Sequence, residues 1–205
     1  AIESFRLFVP NGMIGPSFAF SPTYPYSCNP EDILAAEDAE DINCSWWLDV
    51  YCKGTYPSFT LKNYEKLGIA PVIEDEELEL LEKGKADFIG INYYRTSTVA
   101  MNPLDGVTRN YRMNNSGEKG TQEEGGIPGV YKNKKNPHLD STNWDWEIDS
   151  TGLRIGLRRL TSKYGLPILI TENGLGEFDK LQEGDVINDD YRIKYLKNQD
   201  RKSVV

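Results

Sequence analysis

The chain has 205 residues, enough for one domain with a real core, and its composition is that of an ordinary globular protein. Its formal net charge of −9 argues against nucleic acid and anionic membrane as partners, because both need clustered Lys and Arg. No apolar run approaches the length of a membrane span, and no basic start with an apolar centre marks a secretory leader, so none is expected.

In chain order, residues 13–21 read as a first strand. Asn29-Pro30-Glu31-Asp32 is a helix start, with Asn as cap, Pro at the first helical position and acids in the first turn. That helix is expected to run towards Lys53, with Trp46, Trp47 and Val50 on its buried side. Residues 74–84 form a shorter acidic helix with Leu78, Leu80 and Leu81 inside. Residues 87–94, Asp-Phe-Ile-Gly-Ile-Asn-Tyr-Tyr, read as a second strand. The stretch 95–143 is rich in Gly, Asn, Lys and Glu and weak in periodicity. A connection of that length is an active-site loop or a disordered one. Residues 151–164 carry Leu153, Leu157 and Leu160 at helical spacing. Residues 166–171 form a third strand, and residues 189–198 a last helix with Tyr191, Ile193, Tyr195 and Leu196. Strands alternating with helices imply an α/β fold with a parallel sheet.

The third strand is the most informative. It is short, continuous and Ile-rich, which suits a strand buried on both faces, and it ends in Glu172-Asn173-Gly174. A carboxylate at the C-terminal tip of such a strand stands where α/β barrels keep their chemistry. The second strand ends in Asn92-Tyr93-Tyr94, and alternation places Asn92 and Tyr94 on one face. A phenol that donates to a carboxylate fixes its orientation, which a nucleophilic Glu needs. Tyr93 is read as packing. In Trp144-Asp145-Trp146-Glu147, the Asn, Asp and Thr around Trp146 argue against burial and for a flat platform under a sugar ring, whereas Trp46 and Trp47 read as core. Glu31 serves the helix dipole, and the acidic runs at 74–82 and 118–124 read as solvated faces or loops.

Cys28, Cys44 and Cys52 are odd in number and lack CxxC spacing, which fits reduced thiols in a cytoplasmic protein. His138 sits in a polar loop and reads as a surface residue. With one His and three scattered thiols, neither a metal site nor a cofactor is expected.

Ile170-Thr171-Glu172-Asn173-Gly174, preceded by the 87–94 block and by Trp144-Asp145-Trp146-Glu147-Ile148-Asp149, resembles glycoside hydrolase family 1, and within it the bacterial 6-phospho-β-glucosidase branch. Asn11-Gly12-Met13-Ile14-Gly15-Pro16, Asn29-Pro30-Glu31-Asp32, Leu48-Asp49-Val50, Gly54-Thr55-Tyr56-Pro57 and Asp189-Asp190-Tyr191-Arg192 fit the same pattern in order. The resemblance implies a (β/α)8 barrel and retaining hydrolysis of 6-phospho-β-glucosides. It makes Glu172 the nucleophile, Tyr94 the residue that orients it, Asn92 a substrate-binding neighbour and Trp146 part of the aglycone side. The 95–143 loop would wall the entrance. The substrate would be a phosphorylated β-glucoside or disaccharide.

The family's acid/base Glu lies in an Asn-Glu-Pro motif, and these 205 residues contain none. The early Gln, His-Trp and Arg motifs are absent, and the last seven residues depart from the pattern. The expectation is therefore one incomplete barrel domain over residues 1–205, covering roughly barrel strands five to seven without the last strand. Such a chain is inactive alone, and it is either a non-catalytic fragment or one half of a split barrel. Its open sheet edges invite self-association or a complementing N-terminal half.

Overall fold

The computed structural model describes residues 1–108, 118–120 and 125–203. The expected acidic run at 118–124 and the tail therefore lie partly outside the described residues, at 121–124 and 204–205, as do residues 109–117 of the long loop. In chain order the elements are α1 (Ile2–Phe8), β1 (Ser17–Ala19), β2 (Thr23–Pro25), α2 (Pro30–Glu40), a π-helical turn (Asp41–Ser45), α3 (Trp46–Lys53), α4 (Ser58–Leu67) and α5 (Asp75–Lys83). Then come β3 (Ile89–Tyr93), β4 (Ser97–Ala100), β5 (Gly126–Ile127), β6 (Tyr131–Asn133), α6 (Gly152–Tyr164), β7 (Ile168–Asn173), β8 (Leu181–Gln182), β9 (Val186–Ile187) and α7 (Asp190–Ser203). The chain divides into two compact units.

The first unit comprises Ala1–Phe20, Glu40–Asn92 and Leu160–Thr171. It holds a three-stranded sheet in the order β1-β3-β7, with β1 and β3 parallel. The Ile89 N–H bonds Pro167 O at one end, and Thr171 Oγ1 donates to Asn92 Oδ1 at the other. Residue numbers thus rise together, and β3 and β7 also run the same way. The close approach of the first two strands leaves no room for side chains at Gly15, just before β1, and at Gly90 in β3. A Cβ at Gly90 would stand 2.5 Å from Pro16 O, and one at Gly15 2.2 Å from Phe88 O. Ile89, Ile91, Phe20, Leu48 and Leu160 form the apolar interior. Asp49, buried beneath them, is satisfied by Lys53, Lys163 and the Tyr164 hydroxyl, as a buried carboxylate must be.

The sequence periodicity misjudges two helices here. The i→i+5 turn at Asp41–Ser45 places one extra residue in its turn and rotates the α3 side chains by about 100°. Leu48 and Asp49 consequently face inward, while Trp47, expected in the core, is 48% exposed. Trp46 packs against Tyr56 and Tyr64 with ring centroids 5.0 and 4.9 Å away. In α5 a capping box between Glu74 and Glu77 starts the helix, yet no residue of it is buried. Leu78 and Leu80, expected inside, are 40% and 56% exposed. Spacing reveals which face of a helix is apolar, not whether anything covers it.

The second unit comprises Ser21–Ala39, Tyr93–Arg159 and Glu172–Val205. The expected loop at 95–143 contributes three short strands to a sheet: β2, β4, β6 and β5 lie side by side in that order, β2–β4 parallel and the others antiparallel. These strands are two to four residues long, too short for an alternating pattern to register. Asn29 caps α2 through its side-chain oxygen, which accepts from Glu31 N–H, and Glu31 itself is exposed. Asp32, one residue on, is buried. Its carboxylate accepts from Ser27 Oγ at 2.5 Å and from the Met101 N–H at 3.0 Å, tying α2 to the end of β4.

These two donors, Ser27 first, hold the Asp32 carboxyl below its ordinary range. A carboxyl lowered on folding stabilises fully above the unfolded value, about 3.9, and loses that contribution as the pH falls through the folded value. Asp32→Ala is expected to lower the unfolding free energy by about 1–3 kcal/mol at neutral pH, since it strands the Met101 N–H. Urea unfolding at pH 7 and pH 3 checks this. The gap between parent and variant should narrow at pH 3, and an equal gap at both would contradict it.

Candidate active site

Strand β7 runs on through Glu172 and Asn173, so Glu172 is held by strand geometry. Its side chain is exposed, and Tyr94 Oη donates to Glu172 Oε2. The phenol anchors one carboxylate oxygen and restricts rotation of the group, leaving a carboxylate fit to attack an electrophile. The same bond, followed by partial burial, keeps the Tyr94 hydroxyl above its ordinary titration range, because a phenolate beside a carboxylate is disfavoured.

Tyr94 is placed by its neighbours. Tyr93 is fully buried, as read from the sequence, and its hydroxyl donates to Asp149 O at 3.1 Å. Tyr195 on α7 donates to the backbone carbonyl of Tyr94 at 2.8 Å. The Tyr94 ring meets Trp146 edge to face at 5.6 Å, and Trp146 meets Trp144 in the same way at 5.6 Å. Such T-shaped pairs favour one ring orientation.

Trp146 is 9% exposed, which corrects the expectation that its polar neighbours keep it from burial. Thr142 bonds the backbone of the indole pair. Thr142 N–H donates to Trp146 O at 2.9 Å, Thr142 Oγ1 accepts from the N–H groups of Trp144 and Trp146, and Asp145 takes a left-handed backbone at φ 59°. The tight turn folds the indole inward, while the Asp145 carboxylate accepts from the Gly120 N–H and the Asn143 N–H donates to Glu177. Gly176, just past β7, closes over the two indoles: a Cβ there would stand 2.6 Å from Trp144 and 3.0 Å from Trp146. The Arg95 guanidinium lies 5.7 Å from the Trp146 ring centroid, within cation–π range.

The segment after Gly176 is pinned in turn. Glu177 accepts from the N–H groups of Asn143 and Phe178. Arg192 on α7 grips both oxygens of Asp179, at 2.6 and 2.9 Å.

Asn92 lies in the first unit. Its amide oxygen accepts from Thr171 Oγ1 at 2.5 Å and from Ser17 Oγ at 3.2 Å. Glu172, Tyr94 and Trp146 are thus brought together in the second unit, and Asn92 joins Ser17 and Thr171 in a polar cluster of the first. Sequence reasoning missed Arg95, Tyr195 and Gly176. Only Gly176 carried a signal, as the second glycine of Gly174-Leu175-Gly176.

Glycosyl hydrolase family 1 matches residues 1–201. The chain is 62% identical over 198 residues to the aryl-phospho-β-D-glucosidase BglC of Bacillus subtilis, with 97% of this chain and 41% of that protein covered. It is 34% identical over 194 residues to the 6-phospho-β-glucosidase AscB of Escherichia coli, covering 94% of this chain and 36% of that protein. A family 1 β-glucosidase from Thermotoga maritima superposes with a TM-score of 0.79 at 26% identity, over 98% of this chain and 40% of that one. The chain therefore spans about two fifths of the length of the proteins it matches, and the fold it shares with them is part of theirs.

Replacing the carboxylate in Glu172→Gln removes the charge that opposes the phenolate. The Tyr94 hydroxyl is then expected to titrate at lower pH than in the parent, read by NMR of tyrosine carrying a labelled Cζ. An unchanged titration would show that the bond to Glu172 does not form in solution.

Proposed function

Because the chain belongs to glycosyl hydrolase family 1, we propose that it carries the nucleophile half of a retaining β-glycosidase acting on 6-phospho-β-glucosides. The Tyr94 Oη–Glu172 Oε2 bond carries this reading. Glu172 attacks the anomeric carbon and forms a covalent glycosyl-enzyme, and Tyr94 orients it. Water later releases the sugar with retained configuration. Asn92 binds a sugar hydroxyl, and Trp146 lines the aglycone side. The substrate class is supported by the names of BglC and AscB.

Protonation of the leaving oxygen falls to a second carboxylate, which an Asn-Glu-Pro motif supplies in the resembling family. These 205 residues contain no such motif. On its own this chain is then an incomplete (β/α)8 domain without hydrolytic activity. No helix among the described residues is long and apolar enough to cross a membrane. Three free thiols support a cytoplasmic setting.

A second reading, a non-catalytic fragment or a complementing half, draws on β1 and β7, the outer strands of their sheet. Leu169 and Ile170 on β7 are exposed. Open apolar edges favour pairing with a polypeptide that supplies the N-terminal half of the barrel, or with a second copy.

Mixing this chain with a polypeptide spanning the N-terminal half of BglC is expected to produce hydrolysis of p-nitrophenyl 6-phospho-β-glucoside. The chain alone should be inactive. In the mixture, Glu172→Gln should lower the rate by about a thousandfold, roughly 4 kcal/mol of barrier. A mixture that stays inert favours the fragment. Activity that survives Glu172→Gln would falsify the assignment of the nucleophile.

A further inference from the structure

The sheet of the first unit carries three polar side chains in contact, one from each strand: Ser17 on β1, Asn92 on β3 and Thr171 on β7. Strand geometry sets their spacing. Ser17 pairs with Gly90, and Gly90 and Asn92 share a face because side chains alternate along a strand. Gly90 leaves that face open. A Cβ there would stand 3.2 Å from Thr171 Cγ2, so its absence lets Thr171 lean across β3 towards Asn92.

The contacts decide which end of the Asn92 amide is used up. Thr171 Oγ1 lies 2.5 Å from Oδ1, within the range of an O–H···O bond and shorter than N–H···O bonds, which run from about 2.7 to 3.2 Å. Ser17 Oγ donates to the same oxygen at 3.2 Å. An amide oxygen has two lone pairs, and the two hydroxyls take both. The Nδ2 group keeps its N–H donors. It bonds to no group among the described residues, and it is not buried.

We propose that Ser17 and Thr171 are positioning residues that turn the Asn92 amide so that it meets the substrate as a donor alone. The proposal rests on Asn92 as a substrate-binding residue and names the atom it recognises: a sugar hydroxyl oxygen accepts from Nδ2. Both hydroxyl residues act through Asn92.

NMR of asparagine carrying a labelled Nδ2 tests the orientation in the chain alone, the Asn92 signal being identified by its loss in Asn92→Asp. A hydrogen bond at the carbonyl oxygen draws electron density from the amide nitrogen, so the parent signal is expected downfield of a free side-chain amide. Ser17→Ala combined with Thr171→Val should move it back. Valine has the shape of threonine, and both sites are exposed, so the interior is not disturbed. An unmoved signal overturns the proposal. In the mixture with the N-terminal half of BglC, Thr171→Val is expected to lower kcat/KM about tenfold, near the contribution of one hydrogen bond, and Thr171→Ser to recover most of it. In an Asn92→Ala background Thr171→Val should cost nothing more, because the hydroxyl acts through the amide. An undiminished loss there, or equal loss with serine and valine, overturns the positioning role. An inert mixture counts against the glycosidase reading, while the NMR comparison still decides the orientation of the amide.

Discussion

The second unit depends on one buried residue, Asp149. Its carboxylate accepts from the Tyr24 hydroxyl on β2 at 2.8 Å, from Thr96 Oγ1 before β4, and from the N–H groups of Thr151 and Gly152 at the start of α6. Its backbone carbonyl accepts from Tyr93 Oη and from Gln199 Nε2 on α7. A carboxylate taken out of water costs several kcal/mol unless donors surround it. Four donors on its oxygens meet that demand, and they come from elements far apart in the chain. Satisfying one charge therefore ties β2, β4 and α6 together, and the Asp149 carbonyl adds α7. Burial first, and then Asp149, hold the Tyr24 hydroxyl far above its ordinary range, so it remains a donor at any working pH.

The candidate site inherits its precision from this hub. Tyr93 is anchored to Asp149, Tyr94 is the next residue in the chain, and Tyr195 on α7 holds the Tyr94 carbonyl. The phenol that steadies Glu172 is thus positioned by hydrogen bonds to backbone carbonyls and not by the strand alone. A reactive carboxylate needs this support, since a group displaced by one ångström loses much of its effect.

The parts legible in the sequence were those carried by local pattern. The Ile-rich runs of β3 and β7, the Asn29 cap and the Leu153–Leu160 stripe of α6 each announce themselves within a dozen residues. Glu172 stands out by its place at a strand tip and Tyr94 as a phenol able to donate to it, and the two are bonded, whereas the exposure expected of Trp146 from its polar neighbours is not found. Trp47 and the leucines of α5 were misplaced because exposure depends on what packs against a helix and on the π turn before α3. The sheet inside 95–143 was not legible, because strands of two to four residues gain their pairing from partners distant in sequence. Asp149 was hidden for the same reason. Only its N-cap role at the start of α6 had a local signature, whereas its bonds to Tyr24 and Gln199 span 125 and 50 residues.

Gly176 constrains how this protein can vary over evolutionary time. With the Trp144 and Trp146 indoles filling the place of a Cβ, any side chain at that position collides with carbon atoms of rigid rings, which cannot bend aside as a lysine or methionine could. Drift at this position is therefore coupled: alanine becomes tolerable only in a lineage that has already lost an indole or lengthened the loop.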